Sequence, residues 1–299
     1  MKFIVTGGAG FIGSHIVMQL LDQGHDVVII DNHSRGRAEN LKKYDQRFDF
    51  INMDIADIEK SKKIMSDVDG IFHQAALTSV PESFIQREKY HTVNVIGTEH
   101  IFKIAKEFGI KVVYASSSSV YGDTVSIPIK EDSEKNPINP YGITKLECEK
   151  LAQKYHDLGV SIIGLRYFNV YGVGQTDDYS GVITKFHNRI IQDKSPIIFG
   201  DGAQTRDFVS VNDVAKANLL SMKSKTDFAF INIGTGISTS VKELASMMVK
   251  LSGKSLTIEF EKPIKGDIKD SQADVSFAKK AIDWTFETGL YEGLRGFFS

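Results

Sequence analysis

The feature that most constrains the fold is the stretch TGGAGFIGS at residues 6–14, in which Gly7, Gly10 and Gly13 recur at every third position. It directly follows the β-branched apolar run Lys2–Thr6 and precedes a helical pattern that begins near Phe11. Glycines between a strand and a helix allow a tight turn, and they let a pyrophosphate approach the N–H groups at the start of the helix. The stretch therefore predicts a dinucleotide-binding loop.

Short β-branched runs alternate with helical patterns along the first half of the chain. We predict strands at Lys2–Thr6, Asp26–Ile30, Phe48–Asn52, Gly70–His73, Lys111–Ala115 and Ser161–Leu165, and long helices at Val93–Phe108 and Tyr141–His156. The strands are nearly continuous apolar runs, as strands covered on both faces must be. This alternation predicts an α/β fold with a doubly wound parallel sheet of the Rossmann type.

The alternation weakens after Tyr171, where Gly, Asp and Pro become frequent between the helical patterns Val182–Gln192 and Val241–Leu251. We therefore predict two domains. Residues 1–168 form the dinucleotide-binding domain, to which residues 206–233 return with a strand at Phe228–Ile233. Residues 169–299 form a smaller C-terminal α/β lobe for the substrate.

Composition excludes several classes of partner. The 299 residues are 41% hydrophobic and 25% charged, with a formal net charge of −2 and with charges of both signs along the whole length. No basic stripe indicates nucleic acid binding, and no polybasic or long apolar segment indicates a membrane contact. The single cysteine, Cys148, allows no intramolecular disulfide, so a cytoplasmic protein is expected, and no metal site is predicted.

The residues that follow the later strands fit the same dinucleotide. Asp31 stands at the end of the second strand, where a carboxylate accepts hydrogen bonds from an adenosine ribose and repels a 2′-phosphate. This favours NAD over NADP, although Arg35 and Arg37 follow closely. After the third and fourth strands, the residues that fit the cofactor are Asp54, Ile55, Ala75 and Ala76. Ordinary loop chemistry explains these four positions equally well.

Tyr141 and Lys145 stand four residues apart at the start of a predicted helix, so their side chains share one face. A free phenol has a pKa of about 10. A lysine cation and a nicotinamide cation beside it favour the phenolate, which is a usable general base. The spacing alone is common by chance, and it gains meaning here because a dinucleotide loop and a run of four serines, 116–119, precede it.

Together these motifs resemble those of the extended short-chain dehydrogenases/reductases of the NAD-dependent nucleotide-sugar epimerase/dehydratase family. The resemblance covers essentially the whole chain and is greatest to the UDP-glucose 4-epimerases of that family. The motifs that carry it are TGGAGFIGS, Asp31-Asn32, SSSSVYG, Asn139-Pro140-Tyr141-Gly142 with Lys145, Arg166-Tyr167-Phe168-Asn169, and Gly200-Asp201-Gly202 followed by Arg206-Asp207-Phe208.

The resemblance implies a role for particular residues. Ser117, Tyr141 and Lys145 are expected to be catalytic, and the Ser117 hydroxyl is expected to form a hydrogen bond with the 4-oxygen of the sugar. The implied NAD contacts are Gly7, Gly10, Phe11, Ile12, Gly13, Asp31, Asn32, Ser34, Gly36, Asp54, Ile55, Ala75, Ala76, Leu77, Asn94, Tyr141, Lys145 and Phe168. The implied substrate contacts are Ser79, Val80, Ser117, Asn169, Val182, Ile183, Phe199, Arg206 and Ser271. A guanidinium such as that of Arg206 matches phosphate geometry, whereas Ile183 and Phe199 fit a packed core equally well.

Three positions bear on the substrate and the reaction. The sugar dehydratases of the family carry Asp and Glu after the catalytic serine, and Ser118 and Ser119 cannot replace that acid and base, which favours epimerisation. Ile264 replaces an arginine that usually contacts phosphate, which predicts a weaker or different diphosphate contact. Ser271 replaces a tyrosine that narrows the sugar site in some members, leaving room for a 2-acetamido group; alternatively, it caps a helix near residue 273.

We therefore expect NAD-dependent 4-epimerisation of a UDP-hexose, foremost UDP-glucose and UDP-galactose, by oxidation at C4 and return of the hydride. UDP-N-acetylglucosamine and UDP-glucuronate are alternative substrates. Outside the enzymes, the alternative is an NAD-binding sensor or scaffold. The resemblance also implies a homodimer formed through helices near 93–108 and 141–158.

Overall fold

The computed structural model describes residues 1–124, 126–175, 181–263 and 268–298. The strands are β1 (Lys2–Thr6), β2 (Asp26–Asp31), β3 (Asp49–Asn52), β4 (Gly70–His73), β5 (Val112–Ser117), β6 (Ile162–Tyr167), β7 (Asn169–Tyr171), β8 (Ile197–Phe199), β9 (Thr205–Arg206), β10 (Phe208–Ser210), β11 (Phe228–Ile233), β12 (Thr239–Ser240) and β13 (Glu259–Glu261). The α-helices are α1 (Phe11–Asp22), α2 (Val80–Ile85), α3 (Arg87–Tyr90), α4 (Gly97–Phe108), α5 (Pro140–His156), α6 (Val182–Ile191), α7 (Val211–Lys223), α8 (Val241–Ser252), α9 (Ser276–Ile282) and α10 (Leu290–Arg295).

A seven-stranded parallel sheet with the order β11-β6-β5-β4-β1-β2-β3 forms the centre of the fold. The chain runs outward from β1 to β3 and then returns to place β4 on the other side of β1. Because the strand order reverses there, a crevice opens outside the carboxyl ends of β1 and β4, where ligands of such sheets bind. The predicted doubly wound α/β fold is confirmed.

Both faces of the sheet are covered by helices. Along β1, Phe3 and Val5 pack on the side of α1 and α7, whereas Ile4 packs on the side of α4 and α5. This alternation follows from the two-residue period of a strand, and it explains why the strand sequences are apolar at every position. The buried sheet is a rigid platform for the loops at its carboxyl edge.

Three predicted elements differ clearly from the observed ones. Strands β5 and β6 run two residues further than predicted, and the added positions pair Ser116 with Arg166 and Ser117 with Tyr167. The predicted helix Val93–Phe108 is α4 preceded by a wider π-helical turn, His91–Ile96. Polar residues were taken as the ends of the two strands, but here they continue the hydrogen-bonded ladder.

The C-terminal half has a hydrophobic cluster of its own, formed mainly by α6, α8 and α10 with Ile198 of β8. Within this half, β7 pairs with β10 and β8 pairs with β13, while β11 joins the central sheet beside β6. The boundary between two domains at residue 168 stays a prediction. In the described ranges of the chain, no helix has both the length and the apolar character needed to span a membrane.

Candidate active site

A cleft lies over the carboxyl ends of β1, β2, β4 and β5. All predicted cofactor residues line it except Asn94 and Phe168. The lining also includes Arg35, Tyr167 and Gln175, to which the sequence analysis gave no cofactor role. Arg35 and Tyr167 lie at or just after strand ends, so the strand pattern was the available signal for them, whereas Gln175 carried no comparable signal.

The glycine loop leaves the start of α1 open toward the cleft. A Cβ atom at Gly13 would lie 2.1 Å from the carbonyl oxygen of Gly7, so only glycine lets the loop fold onto the helix this tightly. The N-cap residue of α1, Gly10, provides no side-chain cap, and the first turn carries no acidic residue. Phe11, Ile12 and Gly13 of this turn line the cleft. Uncapped N–H groups at a helix start suit a diphosphate, which fits the dinucleotide predicted here.

Asp31 is fixed at the cleft wall by two backbone N–H groups. Its Oδ2 accepts a hydrogen bond from the N–H of Ala9 at 3.1 Å, and its Oδ1 accepts one from the N–H of His33 at 2.8 Å. Each carboxylate oxygen has a second acceptor position, which leaves capacity for ribose hydroxyls. Beside it, the Asn32 side chain donates to Oδ2 of Asp54 at 2.8 Å, so the loops after β2 and β3 form one wall.

The start of α5 presents Tyr141 and Lys145 to the cleft. Asn139 is the N-cap residue, and its side chain accepts a hydrogen bond from the N–H of Gly142 at 2.8 Å. Lys145 is buried, and its Nζ donates to the carbonyl oxygen of Ala115 at 2.9 Å and lies 5.9 Å from the centre of the Tyr141 ring. The Ser117 hydroxyl lies close enough to the Tyr141 phenol to lower its pKa. The three residues expected to be catalytic therefore lie together.

Burial governs the ionisation of these groups in the protein alone. It raises the pKa of Tyr141 to about 12, although the nearby Ser117 hydroxyl acts in the opposite direction. Burial also lowers the pKa of Lys145. The expected lowering of the Tyr141 pKa by Lys145 together with a nicotinamide cation stays a prediction for the protein with NAD bound.

The four serines of the run have different surroundings. Ser116 is buried and donates to Oε1 of Glu149 at 2.7 Å. Ser117 is the last residue of β5, and its hydroxyl accepts a hydrogen bond from the N–H of Ser119 at 3.2 Å and contacts the Ser119 hydroxyl. No carboxylate occupies position 118 or 119, so the end of this strand provides hydroxyls and no acid.

A buried ion pair holds α5 behind the site. Arg166 of β6 contacts both carboxylate oxygens of Glu149 on α5 at 2.8 Å, and its Nη1 donates to the Tyr121 hydroxyl at 2.7 Å. Because Ser116 shares the same carboxylate, one charge links β5, β6 and α5. Charges buried this deeply must be paired, so the network resists any shift of α5. The sequence analysis treated Arg166 only as part of a motif.

Asn94 and Phe168 lie behind the cleft wall, where their side chains do not line it. The Asn94 side chain forms hydrogen bonds with both backbone polar groups of Leu77. It accepts one from the N–H at 2.8 Å and donates one to the carbonyl oxygen at 3.0 Å. Phe168 is 5% exposed and packs in a small apolar cluster with Val120 and Tyr121. Their predicted direct contacts with the cofactor stay predictions, and the structure adds a positioning role for Asn94.

The predicted substrate residues are divided among several elements outside the described lining of the cleft. Ser79 is the N-cap residue of α2, and Val80 begins that helix. Asn169 begins β7, which follows β6 in the chain after one residue. Arg206 ends β9, and its Nη1 donates to the carbonyl oxygen of Thr205 at 2.7 Å.

Other predicted substrate residues differ in exposure. Phe199 is 37% exposed at the end of β8, so it is not a core residue. Ile183 is fully packed in the C-terminal cluster, and Val182 packs against that cluster. Ser271 is buried and caps no helix, because α9 begins at Ser276 with Val275 as its N-cap residue. Ile264 lies outside the described residues.

Comparisons with known proteins agree with this geometry. The family model described as "NAD dependent epimerase/dehydratase family" matches residues 3–234. The UDP-glucose 4-epimerase of Mycolicibacterium smegmatis is 37% identical over 303 residues, covering 98% of this chain and 96% of that protein.

Solved structures are similar over the whole chain. The UDP-N-acetylglucosamine 4-epimerase from Methanobrevibacter ruminantium M1, in complex with UDP-N-acetylmuramic acid, has a TM-score of 0.95 at 37% identity, covering 99% of this chain and 96% of that one. The UDP-glucuronic acid 4-epimerase from Bacillus cereus, in complex with UDP-glucuronic acid and NAD, has a TM-score of 0.92 at 34% identity, covering 100% and 98%. The chain therefore belongs to the NAD dependent epimerase/dehydratase family, an enzyme family whose cofactor fits the cleft described above.

Proposed function

We propose that this protein is a UDP-hexose 4-epimerase that interconverts UDP-glucose and UDP-galactose. The observation that carries the proposal is the placement of Tyr141 and Lys145 on the lining of the cofactor cleft, with the Ser117 hydroxyl beside the phenol. Relatives named for 4-epimerisation of UDP-sugars support the reaction class. A non-catalytic sensor or scaffold would have no need of this constellation.

The chain's own residues act on the 4-hydroxyl of the sugar. Tyr141, as phenolate, takes the hydroxyl proton, and Ser117 holds the same oxygen by a hydrogen bond. Lys145 keeps the first turn of α5 in place through Ala115 and adds positive charge beside the phenol. NAD, when bound, would supply the acceptor for the C4 hydride and its return to either face of the flat 4-keto sugar. Its oxidised nicotinamide also brings the positive charge that favours the phenolate.

The absence of carboxylates at positions 118 and 119 separates this reaction from dehydration. Elimination of water across C5 and C6 needs one group that removes a proton and another that protonates the leaving hydroxyl. Hydroxyl side chains remain neutral at neutral pH and supply neither function. A keto sugar formed at this site is therefore expected to be reduced rather than dehydrated, which completes the epimerisation.

Deuterium at C4 of UDP-glucose tests the proposal directly. Purified protein is incubated with this substrate, without added cofactor, and the products are followed by proton NMR. We expect UDP-galactose that keeps the deuterium at C4, because the same hydride returns. A 4-keto-6-deoxy product, deuterium lost to solvent, or no conversion would each contradict the proposal.

UDP-N-acetylglucosamine is a second candidate substrate. Ser271 is small and buried, which favours space for a 2-acetamido group if this residue faces the sugar as the family resemblance implies. Replacing Ser271 by tyrosine is expected to lower kcat/KM for UDP-N-acetylglucosamine while leaving that for UDP-glucose nearly unchanged. A matched panel with UDP-glucuronate, read by product stereochemistry, identifies the preferred sugar.

We also propose a homodimer through the faces of α4 and α5. Apolar side chains on or next to these helices are solvent-exposed in the single chain, Ile96 by 36% and Ile143 by 45%, which supports this surface as a contact. Light scattering after gel filtration is expected to give twice the chain mass. Replacing both isoleucines by glutamate should reduce the measured mass to that of a single chain.

A further inference from the structure

An ion pair joins two segments that lie on opposite sides of the glycine loop. Nη2 of Arg35, in the loop after β2, is 2.6 Å from Oε2 of Glu82 in α2, which follows β4. In the sheet, β2 and β4 are the two neighbours of β1, from which the glycine loop begins. The pair therefore bridges the two segments that flank the glycine loop, and Arg35 lines the cleft. Both side chains are mostly shielded, with exposures of 26% and 20%.

The loop that carries Arg35 is held against the glycine loop. The N–H of Arg37 donates to the carbonyl oxygen of Ala9 at 3.0 Å, and the N–H of Ala9 donates to Asp31. A Cβ atom at Gly36 would lie 2.7 Å from Cβ of Ala9, so only glycine permits this approach. Arg35 consequently projects from a fixed backbone, and it lines the cleft.

Glu82 is anchored on the other side. Its Oε2 accepts a hydrogen bond from the hydroxyl of Tyr90 at 3.0 Å, and its Oε1 accepts one from the side chain of Gln86 at 3.0 Å. Tyr90 is fully buried, and its single hydroxyl proton is shared between Oε2 of Glu82 and the carbonyl oxygen of Ser79, which lies 2.8 Å from the hydroxyl oxygen. Burial opposes ionisation of Glu82, but the hydrogen bonds from Arg35 and Tyr90 leave its pKa below the ordinary value, so it is an anion at neutral pH.

We infer that Arg35 and Glu82 form a strap across the cofactor cleft that retains NAD between turnovers. NAD bound between Asp31 and Tyr141 would have to leave the cleft past this pair, because β1 lies between the two anchoring segments. Its release requires the two segments to separate and the ion pair to break. An ion pair that must break before release slows dissociation.

Charge reversal tests the strap. The proteins are Arg35→Glu, Glu82→Arg, the double exchange, and Lys62→Glu as a matched control that breaks a 2.7 Å ion pair with Glu107 outside the cleft. Loss of bound NAD is followed by separating free from protein-bound nucleotide at intervals after dilution, without any sugar nucleotide. We expect each single variant at the cleft to release NAD about fivefold to tenfold faster than wild type. The double exchange should recover most of the difference, and the control should release NAD at the wild-type rate.

Several results would overturn the inference: single variants at the cleft that release NAD at the wild-type rate, a double exchange no slower than the single variants, or a wild-type protein that binds no NAD. Thermal unfolding identifies misfolded variants, and Arg35→Gln with Glu82→Gln then replace them. High salt should speed release from wild type but not from the double glutamine variant, because salt screens only the charged pair. Release is measured without substrate, so its outcome is independent of the proposed epimerase activity.

Discussion

The side chain of Asn94 holds both backbone polar groups of Leu77, with distances of 2.8 Å to the N–H and 3.0 Å to the carbonyl oxygen. Its Nδ2 also donates to the Thr144 hydroxyl on α5 at 3.1 Å. One buried amide thus fixes the loop after β4, which lines the cleft, relative to the helix that carries Tyr141 and Lys145. Asn94 lies in the π-helical turn, whose wider spacing accompanies this arrangement.

Replacing Asn94 by alanine should loosen the loop after β4. Because the change leaves the buried backbone groups of Leu77 without partners, we expect a loss of about 2 to 3 kcal/mol in the free energy of unfolding. Affinity for NAD should fall as well. Denaturant unfolding and NAD titration measure both, with the exposed neighbour Thr92→Ala as control. Unchanged NAD affinity in a folded Asn94→Ala protein would contradict the positioning role.

Loss of the Tyr141 hydroxyl should abolish turnover without unfolding the protein. We expect Tyr141→Phe to lower kcat by about a hundredfold to ten-thousandfold, the range for removal of a general acid or base. Tyr291→Phe, at a tyrosine 47% exposed on α10, is the matched control. Circular dichroism should be unchanged in both, and wild-type turnover by Tyr141→Phe would refute the proposed base.

Removing the Ser117 hydroxyl should shift the pH profile as well as the rate. The Ser117 hydroxyl lowers the pKa of Tyr141, opposing burial. Without it the phenol ionises at higher pH, so the rising limb of kcat/KM against pH should move upward in Ser117→Ala. Ser246→Ala, whose hydroxyl donates to the carbonyl oxygen of Lys242 within α8, should keep the wild-type profile. A downward shift of the limb would contradict this assignment.

The burial of His73 predicts a loss of stability at acidic pH. This histidine is buried between the hydroxyls of Thr6 and Thr98, and burial, followed by repulsion from Lys145, lowers its pKa from 6.5 to about 3. Below pH 6.5 the His73 side chain is protonated in the unfolded chain but stays neutral in the folded protein. The free energy of unfolding therefore falls by about 1.4 kcal/mol for each unit by which the pH is lowered. Chemical unfolding at several pH values should therefore show a steeper dependence for wild type than for His73→Asn. Equal slopes between pH 5 and 7 would rule this out.

Local sequence determined much of the dinucleotide site. The glycines at 7, 10 and 13, the acid at the end of β2 and the four-residue spacing of Tyr141 and Lys145 were readable because turn geometry and helix periodicity depend on neighbouring residues. Alternating apolar runs likewise predicted the parallel sheet. The sequence also showed hydroxyls at positions 118 and 119, where a dehydratase needs acids.

Tertiary structure alone decided how distant residues act on that site. The link from Asn94 to Leu77, the Arg166–Glu149 ion pair and the Arg35–Glu82 strap join segments far apart in the chain, and no local pattern encodes such pairings. The ionisation of Tyr141 was also beyond the sequence, because desolvation depends on everything packed around the phenol. Local periodicity places a side chain on a face, but only the assembled fold sets its neighbours and its exposure to water.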